Sequence, residues 1–407
     1  MRVRDMRQIV QLRPVELDAT RRRLAACHEV EDLRRVARRR IPRPVFDYVD
    51  GAADTEITAA DNIAAFRRHR FQPRVLADVA DIDTSASLFG SVLPMPLLLG
   101  PTGYTRMMHP DGEIGAARAA ARFGVPYTLS TMATTGIEEL RDAVATTPDL
   151  ISASPDLWFQ LYILKSRDRA HELVDRAWAA GFRTLVVTVD TVVTGNRLRD
   201  TRNGLTMPPS LSPSTVVSVG LKPGYWLKLL SGPALEYANF TGLGRVPLHH
   251  TAEFFDPGID WADIEALRVR WPGRILVKGP LGPADARRAI DLGVDGLQLS
   301  NHGGRQLDRC LPAADLIGPV REEVGSSVPV LVDSGIRNGT DIAVALALGA
   351  DAVALGRAYV YGLMAGGQAG VDLALSILAK EFRTTLRLLG VTSVTDLRKR
   401  GKELLAR

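Results

Sequence analysis

The sequence predicts a closed (β/α)8 TIM barrel with a helical arm before it and an insertion after the fourth strand. Three observations lead there. Eight short runs rich in apolar and β-branched residues recur along the 407 residues. Ala-rich amphipathic stretches lie between them. Unusual polar residues stand just after the runs. Strands alternating with helices imply parallel βαβ units, and eight such units close a barrel. A doubly wound open sheet is the architectural alternative.

The predicted strands cover 96–99, 127–130, 158–163 and 184–188, and after a long gap 275–278, 297–300, 328–332 and 352–355. The helical patterns include 112–123, 170–180, 283–292 and 339–348. A barrel brings all strand C-termini to one face, where its site forms. That rule alone gathers Pro101, Thr102 and Gly103, Ser130, Gln160 with Tyr162, and Thr188 with Asp190. It adds Lys278, His302 with Arg305, Asp333, and Gly356 with Arg357.

The chain is read as one domain over 1–407, with a basic arm at 1–45 and an insertion at 207–260. It is 46% hydrophobic and 24% charged, ordinary for a protein with a large core. Residues 1–43 hold 13 Arg, no Lys and 6 acids, a net of +7 against +5 for the whole chain, so the remainder is about −2. Leu33, Val36 and Ile41 interleave with these arginines at helical spacing, so the arm is expected to pack on the body rather than bind nucleic acid. No run of ~18 apolar residues marks a membrane span, and the Arg-rich start lacks the apolar core of a secretory signal. Cys27 and Cys310 are lone thiols, which fits a reducing, cytoplasmic setting. No metal site is read.

The insertion breaks the strand–helix rhythm. It holds Pro208, Pro209, Pro213, Pro223 and Pro233 and the aromatic-rich piece 225–230, followed by Tyr237, Phe240 and Leu243. Long loops of this kind act as lids or contact segments. The expectation is an interfacial membrane patch or partner site, or else a helix packed on the barrel rim.

The most telling stretch is Ser300, Asn301, His302, Gly303, Gly304, Arg305, Gln306, Leu307, Asp308 after the sixth strand. The glycines let backbone approach a ligand, the His can move a proton near neutrality, and the Arg can grip a carboxylate or phosphate with two parallel bonds. A lysine ending a buried strand, Lys278, needs an anion or a strong acceptor. Arg197 and Arg305 together suit one carboxylate.

The SNHGGRQLD run resembles the active-site motif of the FMN-dependent 2-hydroxy-acid oxidases and dehydrogenases, and the resemblance extends over about residues 28–393. It implies an FMN barrel that oxidises an L-2-hydroxy acid, lactate-like or larger, to the 2-oxo acid. His302, paired with Asp190, and Tyr162 are implied as catalytic. Tyr48, Tyr162, Arg197 and Arg305 are implied to hold substrate. Pro101, Thr102 and Gly103, Ser130, Gln160, Thr188, Lys278 and Ser300 are implied at the flavin ring. Asp333, Gly335, Arg337, Gly356 and Arg357 are implied at its phosphate. Electrons would pass to a quinone or another acceptor, with Gly103 leaning toward a dehydrogenase because family oxidases often carry Ala there. Oxygen as acceptor and a non-catalytic flavin-binding barrel are the alternatives. Ser334 departs from the family's usual Gly, and Met132 from the Trp of glycolate oxidase. The segments 199–204 and 356–367 resemble bacterial L-lactate dehydrogenases. A homo-oligomer, a tetramer, and peripheral contact with the inner face of a membrane are also implied.

Overall fold

The computed structural model describes residues 16–147, 156–204, 220, 222–230, 232, 233, 235–240 and 255–406. Eight parallel strands close the barrel: β1 Leu97–Leu99, β2 Tyr127–Ser130, β3 Leu157–Tyr162, β4 Thr184–Thr188, β5 Arg274–Gly279, β6 Gly296–Leu299, β7 Val330–Val332 and β8 Ala352–Leu355. They run around it in chain order, and β8 pairs back onto β1 through Val353 with Leu97 and Leu355 with Leu99. These are the eight strands the runs predict. The runs 96–99 and 328–332 shorten to Leu97 and Val330 because each of these starts just after a proline, which has no N–H for the ladder.

Alternation within the strands sorts the side chains. Odd positions such as Phe159, Leu161, Leu185, Val187, Ile275 and Val277 join the large core against the helices. Alternate positions Leu98, Trp158, Val186, Leu276, Leu331 and Ala354 fill the barrel interior as a second cluster. One step further along the same inward rows come Gln160, Thr188, Lys278 and Asp333. The barrel is therefore apolar at its base and polar at its top. A hairpin, Ala86–Leu88 with Ser91–Leu93, plugs the base. Its Phe89 ring meets Trp158 edge-on at 6.0 Å, and its carbonyl accepts from Arg274 at the start of β5.

The described part of the arm, from residue 16, packs as expected, and residues 1–15 lie outside the described residues. The helix Val30–Arg40 buries Val30, Leu33 and Ala37 against the helix Arg357–Gly366. Arg34 pairs with Asp50 at 2.6 Å, in the next helix Arg43–Asp50. Its arginines are thus partly spent on structure.

The insertion after β4 carries a helix, Pro223–Leu230, and a turn, Ala238–Phe240. Tyr225 donates to the Met107 carbonyl at 2.6 Å. Tyr237 and Phe240 are buried, whereas Leu227 and Leu230 are exposed. The aromatics of the insertion therefore turn toward the barrel, as the rim-packed alternative expects, while the two leucines face solvent. Pro208, Pro209, Pro213 and Leu243 lie outside the described residues.

Candidate active site

A cavity of about 600 Å³ opens at the C-terminal end of the barrel. It is lined by Tyr48, Pro101, Thr102, Gly103, Ser130, Gln160, Tyr162, Thr188, Arg197, Lys278, Ser300, His302, Arg305, Asp333, Gly335, Arg337, Gly356 and Arg357. Of the residues given a catalytic, substrate or cofactor role in the sequence, Asp190 alone does not line it. Asp190 sits behind His302, its Oδ1 3.0 Å from His302 Nδ1.

That pair has a defined polarity. Burial works to raise the Asp190 pKa, but His302 and Lys278 hold the carboxyl well below the usual range. Ionised Asp190 accepts from Nδ1–H, so the His302 lone pair is on Nε2. Tyr162 Oη lies 3.4 Å from that Nε2, and the two rings stack at 6.4 Å. Burial pushes the His302 pKa down, Lys278 adds to this, and Asp190 pulls the other way. Neutral His302 with its lone pair on the Tyr162 side is an arrangement that can take up a proton.

The loop that presents His302 is strained. His302, Gly303 and Gly304 all have positive φ, at 58°, 68° and 76°. A Cβ on Gly304 would stand 2.7 Å from the Ala59 amide nitrogen, so only glycine allows this approach. Ser300 Oγ accepts from the His302 amide at 3.1 Å, and Ser334 Oγ accepts from the Gly303 amide at 2.9 Å. Ser334 also donates to Asp333 at 2.6 Å, so the hydroxyl absent from the family pattern ties the loops after β6 and β7 together.

The two arginines stand apart in their bonding. Arg305 Nη1 donates to the backbone carbonyls of Tyr48 and Gly51, and its guanidinium lies 5.0 Å over the Tyr48 ring. Its Nε and Nη2 make no hydrogen bond to a described residue. Burial, with Arg197 beside it, pushes the Arg305 pKa down to about 9. Arg197 has a buried Nε with no partner among the described residues. Two guanidiniums with unspent donors in one cavity fit an anionic group.

Across the other wall runs a polar row. Gln160 accepts from Ser130 Oγ at 3.1 Å and donates to Thr188 Oγ1 at 2.9 Å. Lys278 is 4% exposed and has no hydrogen bond or ion pair with a described residue. A buried ammonium without a protein partner calls for an acceptor from a ligand. At the far end Arg357 donates to the carbonyls of Val49 and Gly51, and it begins a helix whose N-terminus faces the cavity beside Arg337. A flat ring with hydrogen-bonding edges and a phosphate tail fits this donor set, with the helix start and the arginines suited to the phosphate.

The family model for FMN-dependent dehydrogenases matches residues 37–403. The chain belongs to that family. It is 44% identical over 408 aligned positions to a Mycobacterium tuberculosis protein named as a candidate L-lactate dehydrogenase, covering 100% of this chain and 96% of the relative. It is 42% identical over 373 positions to an L-lactate dehydrogenase of Caulobacter vibrioides, covering 90% and 95% of the two chains. Among solved structures, a monotopic membrane protein, (S)-mandelate dehydrogenase, superposes with a TM-score of 0.85 at 37% identity over 94% of this chain and 99% of the other. The protein is therefore an FMN-dependent L-2-hydroxy-acid dehydrogenase, and FMN is its cofactor.

Cavity residues that the sequence reading missed include Tyr104, Asp200, Tyr237 and Phe255. Tyr104 follows Gly103 directly, so the strand-end rule could have reached it. Tyr237 and Phe255 come from the insertion, where no periodicity says which side chains turn inward.

Proposed function

We propose that the enzyme oxidises an L-2-hydroxy acid, lactate-like or larger, to the 2-oxo acid with His302 as the base, and passes the electrons to a quinone-like acceptor. The observation that carries this reading is the orientation of His302, held at Nδ1 by Asp190 with Nε2 on the Tyr162 side, in a cavity that also holds Arg197 and Arg305. The substrate carboxylate binds the unspent donors of Arg197 and Arg305, with the Tyr48 hydroxyl beside them. This fixes the 2-hydroxyl near Tyr162 and His302. Nε2 accepts the proton, and Asp190 stabilises the imidazolium that results. FMN, when bound, supplies the two-electron acceptor. Ser130, Gln160, Thr188 and Lys278 are placed to hold its ring, and Arg337 and Arg357 its phosphate. Lys278 would supply positive charge to the ring.

A membrane-side acceptor is supported by the exposed Leu227 and Leu230 on the insertion helix and by the monotopic character of the mandelate dehydrogenase neighbour. No helix among the described residues is long and apolar enough to cross a membrane, so any attachment through them is peripheral. The test is anaerobic mixing with a panel of L-2-hydroxy acids, following loss of the flavin colour. Stopped-flow reoxidation by oxygen and by a soluble quinone then follows. Bleaching by an L-2-hydroxy acid and faster reoxidation by quinone are expected. Rapid reoxidation in air with stoichiometric hydrogen peroxide, and no advantage for quinone, would make it an oxidase.

A further inference from the structure

The carboxylate-binding and proton-accepting groups occupy only part of the cavity mouth. Tyr104, Met132, Tyr237 and Phe255 also line the cavity, at 4%, 8%, 7% and 9% exposure. None comes from a barrel strand. Tyr104 and Met132 follow β1 and β2, and Tyr237 and Phe255 belong to the insertion.

These side chains are fixed, not draped over the opening. The Tyr104 amide donates to the Met132 carbonyl at 3.0 Å. The Ala238 amide donates to the Ala133 carbonyl at 3.1 Å. Buried Asn239 accepts from the Ile137 amide at 3.1 Å and donates to the carbonyls of Ser130 and Thr131 at 3.3 and 3.2 Å. The segment carrying Tyr237 is thus clamped to the loop after β2. Its ring packs on Tyr104 at 5.4 Å, and Phe255 meets Tyr162 edge-on at 5.2 Å.

The Tyr237 hydroxyl has no hydrogen-bond partner among the described residues. The titratable groups around it are Tyr48, Tyr104, Arg197 and Tyr162, which are groups of the substrate end. The residue is 7% exposed and lines the cavity, so a ligand seated there can bond this hydroxyl in place of water.

We infer that the substrate's side chain is an aromatic ring carrying a polar substituent, seated against Tyr104, Tyr237 and Phe255 with the substituent bonded to Tyr237 Oη. Aromatic walls reward a ring whose face or edge they meet at 4.5–7 Å, and a methyl group leaves most of that surface unfilled. Discrimination by a hydrogen bond exceeds discrimination by size, because the unmatched analogue strands the site's polar atom. This inference rests on the hydroxy-acid reading above.

The experiment compares (S)-4-hydroxymandelate, (S)-mandelate and L-lactate by kcat/KM on the FMN-loaded enzyme. It also compares binding of 4-hydroxybenzoylformate and pyruvate by isothermal titration. The aryl acids are expected to lead L-lactate by roughly tenfold or more, with 4-hydroxymandelate ahead of mandelate by roughly fivefold. Tyr237→Phe should erase the second preference, and Tyr237→Leu and Tyr104→Leu should collapse the first. L-lactate equal to or better than the aryl acids would overturn the inference and leave the hydroxy-acid reading standing. Preferences untouched in folded, FMN-loaded Tyr237 and Tyr104 variants would do the same. Should those variants fail to fold, the wild-type titration decides: tighter pyruvate than 4-hydroxybenzoylformate overturns it. Failure of every 2-hydroxy acid to bleach the flavin would remove both readings together.

Discussion

Asp190 Oδ1 and His302 Nδ1 stand 3.0 Å apart although 112 residues separate them in the chain. The contact joins the loop after β4 to the loop after β6 and leaves Nε2 as the accepting atom. His302→Ala is expected to retain FMN and to reduce it with substrate about 10²- to 10⁴-fold more slowly. Single-turnover absorbance at the flavin band measures this. Reduction at the parent rate would place the base elsewhere.

The same pair sets a pH profile. The base works unprotonated, and its pKa lies below the ordinary 6.5. Activity is therefore expected to be level at neutral pH and to fall only as pH drops below that value. Asp190→Asn removes the charge that favours the imidazolium. Its acid limb should move to still lower pH while its plateau falls. A profile of kcat/KM from acid to neutral pH shows both, and a limb displaced upward would contradict the pairing.

Arg305 is tested through the shape of its contact. Its guanidinium is charged at neutral pH even though burial lowers its pKa. Arg305→Lys should raise KM at neutral pH, since an ammonium cannot make the forked contact. Equal KM in the variant would argue that Arg197 alone holds the carboxylate.

Gly103 is held tight from behind. A Cβ there would stand 2.9 Å from the Met132 carbonyl oxygen and 3.1 Å from Met132 Cβ. Gly103→Ala should destabilise the folded enzyme by about 1–3 kcal/mol through overpacking. It should also displace the loop beside Tyr104. Thermal unfolding and the visible flavin spectrum report these effects. An unchanged melting temperature would show that the loop yields freely.

The barrel base depends on Trp158, 1% exposed, with its Nε1 donating to Asp156 at 2.9 Å. Trp158→Ala should cost about 3–5 kcal/mol in chemical denaturation. A loss below about 1 kcal/mol would mean that Phe89 refills the space.

The sequence by itself determined the barrel, the arm and the polar ring at its top. Strand alternation and the strand-then-loop rhythm are local signals, and closure follows once eight parallel units are counted. Gln160, Thr188 and Lys278 were legible for that reason, as polar residues at the C-terminal ends of predicted strands. What only the tertiary structure decided concerns who faces whom. Asp190 backs His302 instead of lining the cavity. Arg305 spends one nitrogen on the carbonyls of Tyr48 and Gly51. Ser334 ties two loops through a hydroxyl where a glycine was expected. Tyr237 turns inward from a segment that, as sequence, resembles a surface patch. None of these has a period to read. Each depends on contacts between segments far apart in the chain, and barrel closure alone brings those segments within reach.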